Sequence, residues 1–143
     1  GRGAGYVLIA QGLLYPLVEK AYLERGERLT KAWYDNGVWL GNYLSAKFSN
    51  GGFRVLERVL RALLWGASEF RLSESEGGMS LRYISPTSPL SYTTLLASFL
   101  EGVMSAYGQA TVKKEVSRGV VIIDFSPFGK SNIEGVGGSG GGS

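Results

Sequence analysis

Apolar residues recur along this chain with two different periods, and the change from one to the other marks out the elements. The stretch Tyr6 to Val18 is apolar almost throughout. Together with Glu19 to Glu24 it predicts a first helix from about Gly5 to Glu24, bent near Pro16 and stopped by Gly26. A helix apolar nearly all round must be buried, in its own core or against a partner. Helical spacing returns in Leu29, Trp33, Leu40, Tyr43, Leu44 and Phe48, which predicts a second helix from about Glu27 to Phe48. Asn50-Gly51-Gly52 ends it. A third helix spans Phe53 to Trp65, with Phe53, Leu56, Leu60, Leu63 and Leu64 on one face and Gly66 placed as its C-terminal stop.

The period then drops to two. Ser68 to Ser73 and Met79 to Ser85 alternate around the turn Glu74-Ser75-Glu76-Gly77-Gly78, the pattern of a hairpin. Pro86 and Pro89 admit a fourth helix, from about Leu90 to Tyr107, with Tyr92, Leu95, Leu96, Phe99, Leu100, Val103 and Tyr107 as its buried stripe. A second hairpin pairs Gln109 to Val116 with Val120 to Phe125 across Ser117-Arg118-Gly119. Val120 to Ile123 is apolar on both faces and so belongs at the centre of the sheet. The order ααα-ββ-α-ββ predicts an α+β fold, long helices on a twisted four-stranded antiparallel sheet.

Length and composition narrow the chemistry. The chain has 143 residues, enough for one domain with its own core. It contains no Cys and no His. That excludes disulfides, thiolate nucleophiles, Cys/His zinc sites, haem ligation by either residue and a Ser-His-Asp triad. No catalytic residue, metal or cofactor is expected. The net charge of +3 is too small for a nucleic-acid signature, and no nucleic-acid partner is expected. A reducing cytoplasm suits a chain without Cys. The apolar run of about 13 residues falls short of the roughly 20 that span a bilayer, so no transmembrane segment is expected. Much of the glycine lies at the ends. Residues 1–5 read as a flexible segment, 6–128 as the domain, and 129–143 as a flexible Gly/Ser tail with the character of a linker.

The motifs Trp33-Tyr34-Asp35-Asn36-Gly37-Val38-Trp39-Leu40, Ser88-Pro89-Leu90 and Tyr92 to Met104 with its Leu-x-Gly-Val ending resemble the small subunits of the transport protein particle (TRAPP). Leu64-Trp65-Gly66, succeeded by a hairpin and Ser-Pro, is also similar to the 4-vinyl-reductase-like sensor domains of bacteria and archaea. The resemblance spans roughly Tyr6 to Phe125. It implies a non-catalytic scaffold that pairs through its first two helices, as a homodimer or with a related subunit, or a zinc-free sensor for a small hydrophobic ligand. The acyl-cysteine and the zinc site known in this group are both closed to a chain without Cys or His.

The candidate residues form three groups. A dimer seam would use Leu8, Gly12 and Tyr15 from the first helix with Trp33, Gly37, Leu40, Gly41 and Leu44 from the second. Gly37 and Gly41, four apart, serve equally well for close packing inside one monomer. Trp39, Trp65, Phe99 and Val103 could line a hydrophobic pocket, although such aromatics more often anchor cores and interfaces. Arg54, Arg58 and Arg61 form a basic strip that could meet acidic lipid headgroups at a membrane surface, or simply a solvated helix face.

Overall fold

The computed structural model describes residues 9–129. Its elements are α1 (Gln11–Lys47), α2 (Gly52–Leu63), β1 (Glu69–Ser75), β2 (Gly78–Ile84), α3 (Leu90–Ala106), β3 (Gln109–Ser117) and β4 (Val120–Pro127). This is the α+β architecture the periodicities predict. Both hairpins are tighter than expected. Ser75 pairs with Gly78, so Glu76-Gly77 alone make the first turn, and Gly77 supplies its left-handed residue at φ 86. The longer turn expected from the sequence includes residues that in fact continue the strands.

The sheet order is β1-β2-β4-β3, every neighbour antiparallel. The apolar run of β4 sits at the centre, where its composition places it. Cross-strand rows carry the core: Leu72, Leu81 and Ile123 lie side by side, as do Phe70, Tyr83 and Val121. All six are buried, and Leu56 and Leu60 of α2 with Leu96, Leu100, Val103 and Met104 of α3 close over them. On the opposite face of β4, Val120 and Ile122 are half-buried.

The first two expected helices are one element with a break. Arg25 alone inside α1 leaves helical geometry, at φ −145 and ψ 44. The break falls between Glu24 and Gly26, where the first expected helix ends, and not at Pro16, although Gly26 has no left-handed φ. The bend is sharp. Tyr15 and Trp33 both pack on the ring of Tyr92, with centroids 5.0 Å and 5.8 Å away. Eighteen residues of straight helix would separate them by roughly 27 Å, so the two arms of α1, residues 11–24 and 26–47, fold back towards one aromatic ring.

The second arm packs on α3 backbone to backbone. A Cβ on Gly37 would collide with the Phe99 carbonyl, and one on Gly102 with the Tyr34 carbonyl. At Gly41 a Cβ would lie 2.6 Å from both the Val103 oxygen and Ala106 Cβ. Small residues on both helices, four apart, therefore set this crossing.

Candidate functional site

Sequence and fold converge on the first arm of α1. Its inner side is fastened to the turn between β2 and α3. Ser88 is fully buried there, placed by its own N–H donating to the Ser85 carbonyl at 2.9 Å. Its Oγ shares hydrogen bonds with the Tyr15 hydroxyl at 3.0 Å and the Tyr83 hydroxyl at 2.7 Å. Thr87 Oγ1 donates to Gln11 Oε1 at 3.3 Å, one turn earlier in the arm. Burial holds the Tyr83 hydroxyl above its ordinary pKa near 10, and it pushes Tyr92 well above that value. Tyr83 and Tyr92 therefore stay uncharged at neutral pH. The cluster is a latch of hydroxyl–hydroxyl hydrogen bonds and tilted or edge-on ring contacts.

The outer side of the same arm is different. Leu13, Leu17 and Leu23 are 69%, 65% and 84% exposed, and Ile9 just before the helix is 50% exposed. Leu13 and Leu17, four apart in the helix, share a face, with Gly12 and Pro16 along its flank, and Ile9 lies in the extended segment just before the helix. Val18, the arm's one buried residue, lies round the helix from them. Monomers rarely leave an apolar stripe of this kind without a partner.

The expected seam residues divide between these settings. Gly12 is exposed beside the stripe and Tyr15 is half-buried in the latch. Leu8 lies outside the described residues, as do residues 1–5 and the tail from 130 onward. Trp33 is half-buried, edge-on to Tyr92. Gly37, Leu40, Gly41 and Leu44 are buried within the monomer, so the second-helix half of the seam is corrected: its glycines serve the chain's own α3 crossing and have no face left for another copy.

The four pocket candidates are not brought together. Trp39 is 46% exposed and stacked on Tyr43 at 5.5 Å. Trp65 is 75% exposed beyond the end of α2, and Val103 is buried at the glycine crossing. Phe99 does line a recess, of about 250 Å³, with Trp33, Asn36, Leu63, Leu64, Tyr92 and Leu96. The aromatics of that recess are thus Phe99, as expected, with Trp33 and Tyr92 in place of Trp39 and Trp65. A wider open groove of about 790 Å³ runs along the bend, past Tyr22, Thr30, Tyr34 and the Lys31–Asp35 ion pair at 2.8 Å. The hydrogen bond to Asp35 holds the Lys31 ammonium above its ordinary pKa.

Arg54, Arg58 and Arg61 are all exposed on α2, but they are not one free strip. Arg61 bonds Glu57 Oε2 at 3.0 Å and the Phe70 carbonyl at 3.2 Å. Sequence reasoning missed three partners. Gly102 and Ala106, four apart on α3, carry the same small-residue signal as Gly37 and Gly41. Ser88 stood out only as part of Ser-Pro-Leu. Nothing in the chain's periodicity marks the tie from Glu57 to β1.

Among the described residues no helix is long and apolar enough to cross a membrane, and no group of three or more metal-ligating side chains lies together. No family model matches the chain, and no curated protein does. Among solved structures, the chain is similar to one from work described as "Probing the function of heme distortion in the H-NOX family", at 14% identity and a TM-score of 0.45, covering 83% of this chain and 71% of that one. A likeness at that level carries no argument about what this chain does.

Proposed function

We propose that this is a non-catalytic interaction domain that pairs with a second copy of itself through the outer face of the first arm of α1. The observation that carries the reading is the exposed face of Leu13 and Leu17, with Ile9 just before the helix and Leu23 further round its surface, on an arm whose inner side is already latched. Burying Leu13 and Leu17 against the equivalent pair would stabilise the dimer by roughly 1.5–3 kcal/mol for each residue fully covered. A two-fold axis across the arm makes the face self-complementary, because apolar residues meet apolar residues. The resemblance to the transport protein particle subunits, which implies pairing through the first two helices, supports the same arm. Lys20 and Glu24 continue the same face one to two turns beyond Leu17 and are exposed, so the two-fold contact would have charged groups at its end.

Light scattering tests this. The parent chain should be a dimer at micromolar concentration, and Leu13→Lys with Leu17→Lys should give a folded monomer whose melting temperature, unlike the parent's, does not rise with protein concentration. A parent that is strictly monomeric at high micromolar concentration overturns the proposal.

A second reading rests on the recess beside Tyr92. Its volume of about 250 Å³ and its lining of Trp33, Leu63, Leu64, Leu96 and Phe99 suit a small apolar ring or short chain. Titration with an apolar probe, monitored by Trp33 fluorescence in the parent and in Leu96→Trp, distinguishes an open recess from a filled one.

A further inference from the structure

Among the described residues the sheet has two free edges, and they are guarded differently. β3 breaks register between Thr111 and Lys113 and exposes Lys113 and Lys114. A bulge and lysines are ordinary defences against an added strand. β1 has neither. It pairs with β2 without a register shift over all seven residues, and its sequence, Glu69-Phe-Arg-Leu-Ser-Glu-Ser75, contains no Pro and no Lys. By pattern alone it is a regular edge ready to extend the sheet.

Two side chains of α2 lie along that edge instead. Glu57 Oε2 accepts the Leu72 N–H at 3.2 Å, and Arg61 Nη2 donates to the Phe70 carbonyl at 3.2 Å. The pair is closed by the Arg61–Glu57 ion pair at 3.0 Å. The Leu72 N–H and the Phe70 carbonyl point away from β2, and an added strand would bond these same outward groups. Spacing of i, i+4 on a helix puts the two side chains side by side. One offers an acceptor and the other a donor, as a neighbouring backbone would.

The partner they would exclude can be named from β1 itself. Two β1 strands meeting antiparallel with Leu72 opposite Leu72 would set Phe70 against Glu74, Arg71 against Ser73 and Glu69 against Ser75. No like charges meet in that register. Each copy would need its Leu72 N–H and its Phe70 carbonyl for the ladder.

We propose that Glu57 and Arg61 form an edge clamp, two side chains that take the place of a neighbouring strand and hold β1 back from antiparallel pairing with β1 of a second copy. This surface is separate from the first arm of α1. The test is therefore made in the Leu13→Lys, Leu17→Lys background, where failure of the arm reading cannot be mistaken for failure of the clamp.

In that background, Glu57→Ala with Arg61→Ala should speed exchange of the Leu72 amide roughly tenfold in dilute solution, with Leu81 and Ile123 unchanged. Sedimentation should then show a dimer that grows with concentration and restores protection at Leu72. Glu57→Gln keeps an acceptor oxygen and should keep most of the protection. Lys31→Ala, which breaks another exposed i, i+4 pair, should change neither reading. Should the double variant lose its fold, Arg61→Ala alone, at a side chain 61% exposed, carries the sedimentation test. Unchanged Leu72 exchange, or a clamp-free chain with the same size distribution as its background at every concentration, overturns the proposal.

Discussion

The two arms of α1 belong to one helical element and end in opposite surroundings. The second arm buries Gly37, Leu40, Gly41 and Leu44, and the first buries Val18 alone. Yet the first arm is the more continuously apolar of the two. Hydrophobic content therefore does not decide which arm is swallowed by the fold. Residue size at the contact does. Glycines in the second arm let its backbone approach α3 until carbonyls touch Cα atoms, and many dispersion contacts come with that approach. The first arm, with leucines on its far side, is held by a few directed bonds and one shared aromatic ring.

The largest test of this contrast is Gly37→Leu. The added side chain has only the Phe99 carbonyl and the Val103 amide to enter, and the strain should cost about 3 kcal/mol or more, towards the upper end for overpacked sites. Denaturant midpoints measure it. A variant as stable as the parent would mean that close approach does not distinguish the arms.

A smaller effect is expected at the latch. Ser88→Ala leaves the Tyr15 and Tyr83 hydroxyls without their common partner, at a cost of about 1–2 kcal/mol. The loss should fall on one arm. Amide exchange should rise across residues 11–24 and stay unchanged around Leu40 and Leu44. Equal loosening of both arms would remove the distinction.

The smallest effect emerges only in alkali. Burial raises the pKa values of Tyr83 and Tyr92, so between the ordinary value near 10 and the folded values the native chain holds protons that the unfolded chain has released. Stability from these groups is complete below about pH 10 and declines as pH rises above it. Urea midpoints taken across that range should fall, and Tyr92→Phe should flatten the decline. A parent whose midpoint is level through the alkaline range would refute the linkage.

How much of this is visible in the chain depends on the range of each signal. Periods of two and near 3.6 act over a few residues, and they locate every strand and all the helical segments, with Val120 to Ile123 rightly central. The break at Arg25 falls where Gly26 ends the first expected helix, but the helix resuming at once beyond it is not legible, and Pro16 marks a bend where the backbone in fact stays helical. Gly37 and Gly41 announce a close contact, but a contact has two sides. Its other side, Gly102 and Ala106, comes more than sixty residues later, and a single sequence offers no means of pairing them. The excess of apolar residues in the first helix is legible as something needing cover. The divided role of Arg61 is not, because its bond to the Phe70 carbonyl depends on how α2 lies against β1.

The glycine crossing also bears on how the chain is made. The second arm leaves the ribosome with Leu40 and Leu44 ready for burial, while Phe99 and Val103, which receive it, are synthesised roughly sixty residues later. At about 5–20 residues per second that is a delay of roughly 3–12 s. During it the arm has no native surface to meet, and the hairpin β1–β2, whose contacts are local, can form first. A long hydrophobic side chain at position 37 or 41 would be exposed throughout that delay. Glycine there adds nothing to the apolar surface that Leu40 and Leu44 already leave uncovered during that delay.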